Sequence, residues 1–77
     1  MVQPVRKVTL PRRQLEVARL VSEGLSNKEI ASDLGISTHT VRHTLSVIFQ
    51  KLAVTNRAGV AFAVATERVA RGEHADS

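Results

Sequence analysis

One face of a predicted helix carries side chains that can donate hydrogen bonds, and no acid lies on it. These residues recur at the three- and four-residue spacing of a single helical stripe; they are His39, Arg42, His43, Ser46 and Gln50. A guanidinium such as that of Arg42 can bond both O6 and N7 of guanine, and shorter side chains can reach nearby base edges. We therefore expect Arg42, His43, Ser46 and His39 to read DNA bases. A merely solvated surface is the alternative for Arg42, although no carboxylate stands three or four residues away to pair with it.

A second group of donors lies where three predicted helices begin. Helix N-termini present unpaired backbone N–H groups that suit phosphate oxygens. We expect phosphate contacts from the hydroxyl, amide and cationic side chains at these starts and from one lysine late in the third helix: Ser26, Asn27, Lys28, Thr38, Thr40, Lys51, Asn56 and Arg57. Such contacts position a protein on DNA without reading its sequence. The alternative is structural, because Ser26, Ser37 and Asn56 are also good N-caps and Thr40 could simply fill a helix position.

Metal binding and catalysis are weaker hypotheses. His39 and His43 have the spacing of two metal ligands on one helix, but a site needs a third ligand, and the remaining histidine, His74, lies in the tail. We expect no metal and no cofactor. The chain has no cysteine and no tyrosine, and it has neither a glycine-rich phosphate loop nor a plausible pair of catalytic carboxylates. We therefore expect that the protein is not an enzyme.

Length and charge favour one small domain that meets a polyanion. The 77 residues, 43% of them hydrophobic, suffice for one modest core. The net charge is +4, and residues 34–66 contain no acid, which suits contact with DNA. No apolar run approaches the roughly 20 residues of a membrane span, so we expect no membrane partner. The absence of cysteine fits a reducing compartment, and we expect a cytoplasmic protein. A protein-interaction module is the serious competitor, but its outer groove should be apolar and not basic.

The periodicity predicts an all-α domain of four short helices and no strands. The helices are expected at about 11–23, 27–34, 38–52 and 57–70, within a domain spanning 9–70 that follows an arm or linker end at 1–8 and precedes a flexible tail at 71–77. Ser26 and Glu29 form a capping box. A turn of about three residues containing Gly35 joins the second and third helices, which is the helix-turn-helix signature. The apolar stripe predicted to hold the third helix is Val41, Leu45, Ile48 and Leu52.

The fourth predicted helix has two apolar stripes, of which the domain core needs one. Val60 and Val64 form one stripe. The second stripe consists of Ala58, Phe62, Ala65 and Val69, and one of the two is left over once the core is closed. A helix that is buried on both sides is the alternative.

The segment SNKEIASDLGISTHTVRHTLSVIFQKLAVTNR closely resembles the LuxR/FixJ (GerE-type) DNA-binding domain. The matching residues are 26–31, Leu34, Ile36, Ser37, Thr40, Val41, Ile48, Lys51, Leu52, Val54, Asn56 and Arg57, and the likeness extends over about residues 10–65. Arg42 stands where the family usually has lysine. Ala53 replaces a common glycine, Thr44 a common histidine, and Ala58-Gly59 a common Thr-Glu pair. The first helix opens with Pro11 and Gln14 in place of Thr-x-x-Glu.

The resemblance implies the output domain of a bacterial transcriptional regulator. Such domains usually lie at the C-terminus, after a receiver or ligand-binding domain, and bind half-sites of double-stranded DNA as dimers. The resemblance also assigns Val60 and Val64 to the core, because the family has small apolar residues there. The fourth helix is then the contact of a weak homodimer that DNA strengthens, through Phe62, Ala65 and Val69. RNA polymerase is a further candidate partner. The third helix, at about 38–52, is expected to enter the major groove.

Overall fold

A computed structural model describes residues 7–71. Its elements, in chain order, are β1 (Val8–Leu10), α1 (Arg12–Ser22), α2 (Asn27–Leu34), α3 (Thr38–Leu52), α4 (Arg57–Ala65) and β2 (Val69–Arg71). The four predicted helices are confirmed, and α2 and α3 have the predicted bounds. Most of the predicted arm at 1–8 and of the tail at 71–77, with His74, lies outside the described residues.

One apolar core joins the four helices and the first strand. The predicted α3 stripe is confirmed, since all four of its members are buried, as are Leu10 and Val60. From the other helices the core takes Leu15, Val17, Ala18, Val21, Ile30, Ala31 and Ala63. No polar side chain among the described residues is buried. The polar groups that could do chemistry therefore all lie at the surface.

Side-chain caps begin three of the helices as predicted. At α2 the Glu29 backbone N–H donates to Ser26 Oγ at 3.1 Å, and the Ser26 N–H donates to Glu29 Oε1 at 2.7 Å, which completes the capping box. Ser37 caps α3, and Asn56 caps α4 by accepting from the Gly59 N–H at 3.0 Å. A Cβ at Gly59 would lie 2.6 Å from Cβ of Val54, so a reciprocal glutamate does not fit at that position of α4.

All four helices end with a residue in the left-handed backbone region. The N–H of the following residue then bonds a carbonyl five residues back, as in a Schellman motif: Leu25 to Leu20, Ile36 to Ala31, Val54 to Phe49 and Arg68 to Ala63. Two of the left-handed residues are glycines, Gly24 and Gly35, and the other two are Ala53 (φ 58°) and Glu67 (φ 57°). Left-handed backbone is costly for residues with a Cβ, and the sequence has no glycine to mark the ends of α3 and α4.

The prediction of no strands is wrong. β1 and β2 form a two-stranded parallel sheet in which Val8 pairs with Val69 and Leu10 with Arg71. The first strand precedes α1 and the second follows α4, so the sheet joins the two ends of the described chain. Three-residue strands are too short to show the alternation that identifies a strand in sequence.

The fourth helix is shorter than predicted, and this corrects the assignment of Val69. Glu67 turns the chain out of the helix after Ala65, and Val69 lies in β2, half-buried against the core. Val69 therefore does not continue the stripe of Ala58, Phe62 and Ala65. Those three remain exposed on α4, and Phe62, 61% exposed, is the one large apolar side chain of the described residues that is open to solvent.

Candidate nucleic-acid interface

The N-termini of α2, α3 and α4 meet around one open groove. Its lining consists of Ser26, Asn27, Lys28, Thr38, Arg42 and Arg57. Five of these were predicted as phosphate contacts, and the sixth, Arg42, as a base reader. Residues that stand up to 31 positions apart in sequence therefore share one surface, and no acid lines it.

Backbone donors strengthen the attraction of this groove for an anion. The first N–H groups of an α-helix have no carbonyl partner within it, and those that the N-cap residue does not satisfy stay free. At α2 these belong to Asn27 and Lys28, because the Glu29 and Ile30 N–H groups bond to Ser26. At α3 they belong to Thr38 and His39, because the next two bond to Ser37. Two helix N-termini and their dipoles thus add to the charges of Lys28 and Arg42.

Arg57 lies at the back of the groove and is partly buried. Its Nη1 donates to Asn27 Oδ1 and its Nη2 to the Leu25 carbonyl oxygen, each at 2.5 Å. These bonds tie the first residue of α4 to the start of α2. The prediction of a phosphate contact at Arg57 did not foresee them, because they join positions 30 and 32 residues apart.

The four predicted base readers all lie on the exposed face of α3. Arg42, His43, Ser46 and His39 point away from the buried stripe. A second shallow cleft continues from the groove along this face, and its lining includes Ser46 and the half-buried Phe49. Phe49 was not among the predicted site residues. It lies three residues after Ser46 and four after Leu45, so it stands on the boundary between the polar and the buried stripes of α3.

Three other predicted phosphate contacts lie outside the groove. Lys51 follows Arg42 by nine residues, about two and a half helical turns, and so stands on the opposite side of α3. Its Nζ donates to Gln14 Oε1 at 2.9 Å. Thr40 Oγ1 accepts from the Ser37 hydroxyl at 3.0 Å, and the side chain of Asn56 caps α4.

Charge is distributed unevenly over the described residues. Their acids are Glu16, Glu23, Glu29, Asp33 and Glu67, and α3 carries none. The single salt bridge among residues 7–71 joins Arg13 to Glu16 at 3.6 Å on α1. Arg42 thus has no carboxylate partner in this part of the chain, and its charge remains available to a ligand.

Neither a metal cluster nor a membrane span is found in the described part. No three histidine, cysteine, aspartate or glutamate side chains of that part lie close enough together to hold a metal ion. None of its helices combines the length and the apolar character that crossing a bilayer requires.

Comparison with known families decides the identity of the domain. Residues 8–64 match the family model described as bacterial regulatory proteins, luxR family (GerE). The chain belongs to the luxR family. The resemblance predicted from the sequence is confirmed, and the domain is a DNA-binding module of transcriptional regulators and not an enzyme.

Several luxR-family regulators are similar to this chain. It is 48% identical over 48 residues to the transcriptional regulatory protein DesR of Bacillus subtilis, and the aligned segment covers 62% of this chain and 24% of DesR. It is 39% identical over 66 residues to the two-component response regulator PprB of Pseudomonas aeruginosa, and that segment covers 86% of this chain and 24% of PprB. The chain thus spans about a quarter of the length of these relatives.

Proposed function

We propose that this domain binds double-stranded DNA in a sequence-specific manner, with α3 in the major groove. The observation that carries the proposal is the acid-free groove at the three helix N-termini, which lies beside the exposed polar face of α3. A major groove accepts one α-helix, and α3 is held by its buried stripe while its opposite face is free. Arg42, His43, Ser46 and His39 then read bases.

The two flanks of α3 face the two DNA strands in this arrangement. Ser26, Asn27, Lys28 and Thr38 contact phosphates of one strand from the groove, next to Arg57, which is hydrogen-bonded to Asn27 and Leu25. Thr40 and Lys51 contact the other strand from the far flank, with Asn56 as a peripheral contact. Since one donor of Lys51 is already bonded to Gln14, we expect the far flank to contribute less.

The decisive experiment is selection of bound sequences from random duplex DNA with the purified chain. We expect enrichment of a short motif that contains at least one guanine, the base that Arg42 suits best. The affinity for the enriched duplex should fall steeply with salt, with a log–log slope of about −0.9 for each phosphate contacted. Absence of duplex binding at low salt would overturn the proposal and favour a protein-interaction module.

We further propose that α4 forms a homodimer contact on DNA. The patch formed by Ala58, Phe62 and Ala65 is apolar and exposed, whereas Val60 and Ala63 pack into the core. A symmetric contact between two copies would cover Phe62. Because the patch is small, we expect monomers in free solution at micromolar concentration and two protomers on a full site.

Two substitutions separate this contact from the core. Phe62→Arg should abolish the cooperative two-protomer complex and leave half-site binding and the fold intact. Val69→Arg should instead destabilise the domain by about 1–3 kcal/mol, because it places a charge where β2 packs on the core. Sedimentation with and without duplex, together with thermal unfolding, distinguishes the two. Cooperative binding by Phe62→Arg would show that this face of α4 is not the contact between protomers.

The similarity to DesR and PprB supports a place in a larger regulator. We propose that residues 8–71 form the output domain, which includes both strands and so extends the predicted 9–70 by one residue at each end. The regulator then acts in the cytoplasm, under the control of a receiver or ligand-binding domain, and contacts RNA polymerase. Whether transcription rises or falls on binding is measurable with a reporter placed behind the selected site.

A further inference from the structure

Arg57 is the side chain that connects α4 with the start of α2. Within the described residues, the hydrogen bonds between these two regions are those from its Nη1 to Asn27 Oδ1 and from its Nη2 to the Leu25 carbonyl. The N–H of Leu25 is already used to end α1, by donating to the Leu20 carbonyl. Arg57 thus holds the α1–α2 turn and the first residue of α2 at once.

The hydrogen-bonding chemistry of Arg57 and Asn27 determines the orientation of the Asn27 side-chain amide. A guanidinium only donates, so the Asn27 atom that faces Arg57 must be the amide oxygen and not the amide nitrogen. The amide nitrogen then keeps two donors that have no acceptor among the described residues. Asn27 lines the groove beside Lys28 and Thr38, where those donors are available to an anion.

The bonds of Arg57 also limit its own use as a ligand. Both terminal nitrogens of the guanidinium already donate to protein oxygens, and the side chain is partly buried. Lys28 and Arg42 line the same groove, are exposed, and have no such partners in the described part of the chain. The charge at the back of the groove therefore serves the arrangement of the groove more than it serves a direct contact.

We propose that Arg57 is a positioning residue, which orients the Asn27 amide donors and fixes the start of α2 against α4 so that the groove is preformed for a DNA phosphate. The inference rests on the proposed DNA binding. It also links the proposed dimer helix to the phosphate contacts, because Arg57 is the first residue of the helix that carries Phe62.

Arg57→Lys is the informative substitution. Lysine keeps the positive charge but cannot make both bonds in the geometry of the guanidinium fork. A positioning role predicts that Arg57→Lys and Arg57→Ala each weaken binding to the selected duplex by about tenfold, the size of a lost charge-assisted hydrogen bond. Because no cation that touches phosphate is lost, both variants should keep the salt slope of the native chain. Arg19→Lys, at an exposed arginine of α1 away from the groove, is the matched control and should bind normally.

The Asn27→Ala background isolates the coupling. Once the amide is absent, Arg57→Lys should cost less affinity than it does in the native chain. Only the bond to the Leu25 carbonyl then remains to be lost, and residues that act through one another are not additive. Circular dichroism and thermal unfolding establish that each variant is folded at the temperature of the binding assay. If Arg57→Lys does not fold, Asn27→Ala provides the test, because it leaves the Leu25 bond in place. Asn27→Ala should itself lose about tenfold in affinity for the selected duplex, with an unchanged salt slope.

Several results would overturn the inference. Native affinity in Arg57→Lys, a salt slope about one unit shallower in Arg57→Ala, or additive losses with Asn27→Ala would each make Arg57 a direct phosphate ligand. Absence of duplex binding by the native chain would instead reject the proposed function. The Asn27 side-chain amide signals in a ¹⁵N NMR spectrum provide an independent test of the hydrogen bond between Arg57 and Asn27. They should shift in Arg57→Lys and not in Arg19→Lys, and unchanged signals would reject the pairing itself.

Discussion

The two ends of α3 are supported in different ways. At its N-terminal end, Thr38 and Arg42 share a groove with the N-termini of α2 and α4. At its C-terminal end, Lys51 is held by Gln14 of α1, and the helix ends at Ala53 in left-handed conformation. The N-terminal end gathers several donors from separate elements, whereas the C-terminal end offers one cation that already has a partner. At the proposed interface, attraction for DNA therefore depends on which elements meet and not on the number of cations along the helix.

Arg42→Ala should have the largest effect on binding. We expect a loss of about 1–3 kcal/mol on the selected duplex and relaxed preference at one base pair, because the bidentate contact with guanine is removed. Arg42→Lys keeps the charge and serves as the control, with intermediate loss. Binding curves on selected and random duplexes measure the effect. Equal weakening on both duplexes would show that Arg42 contacts phosphate and not a base.

Lys28→Ala tests the groove itself. We expect similar weakening on selected and random duplexes, with a salt slope shallower by about one unit, because one phosphate contact is lost. Titrations at several salt concentrations provide the slope. A changed base preference in this variant would contradict the division between positioning at α2 and reading at α3.

Ala53→Gly should stabilise the domain without changing its affinity for DNA. The left-handed conformation costs a residue with a Cβ about 1–2 kcal/mol, and the greater entropy of unfolded glycine offsets part of the gain, so we expect a net increase of about 0.5–1 kcal/mol in the free energy of unfolding. Gly35→Ala, at the corresponding end of α2, is the inverse control and should destabilise. Thermal unfolding measures both, and a destabilised Ala53→Gly would show that this helix end is not strained.

Lys51→Ala should have the smallest effect. Because Lys51 is exposed and already bonded to Gln14, we expect a change below about 0.5 kcal/mol in stability and a smaller loss of DNA affinity than in Lys28→Ala. Parallel titrations of the two variants compare the two ends of α3 directly. An equal or greater loss in Lys51→Ala would reverse the comparison.

Local sequence signals predicted much of this molecule. The Ser26–Glu29 capping box, the Ser37 cap and the buried stripe from Val41 to Leu52 determine α2, α3 and the face that α3 leaves exposed. These features depend on pairs of residues three or four positions apart, and such pairs can be identified within a short segment of sequence. The polar, acid-free face of α3 and the family resemblance follow from the same stretch.

Other features arise only when distant segments meet. The pairing of Val8 with Val69 and the bonds of Arg57 to Asn27 and Leu25 cross long stretches of chain. The end of α4 depends on the left-handed backbone conformation of Glu67, which glycine adopts far more readily than other residues. For this reason the position of Val69 was predicted wrongly, and the hydrogen bonds of Arg57 were not predicted.

The sequence by itself determined which residues could contact DNA, because residue type and helical period are local properties. Only the tertiary structure decided which of them share a surface. Packing of α4 on α1 and of α3 on α2 brings three helix N-termini to one groove, whereas the helical period by itself already places Lys51 on the far side of α3. Hydrogen bonds and charges act over a few ångströms, so the assembly of donors into a site is a consequence of the fold.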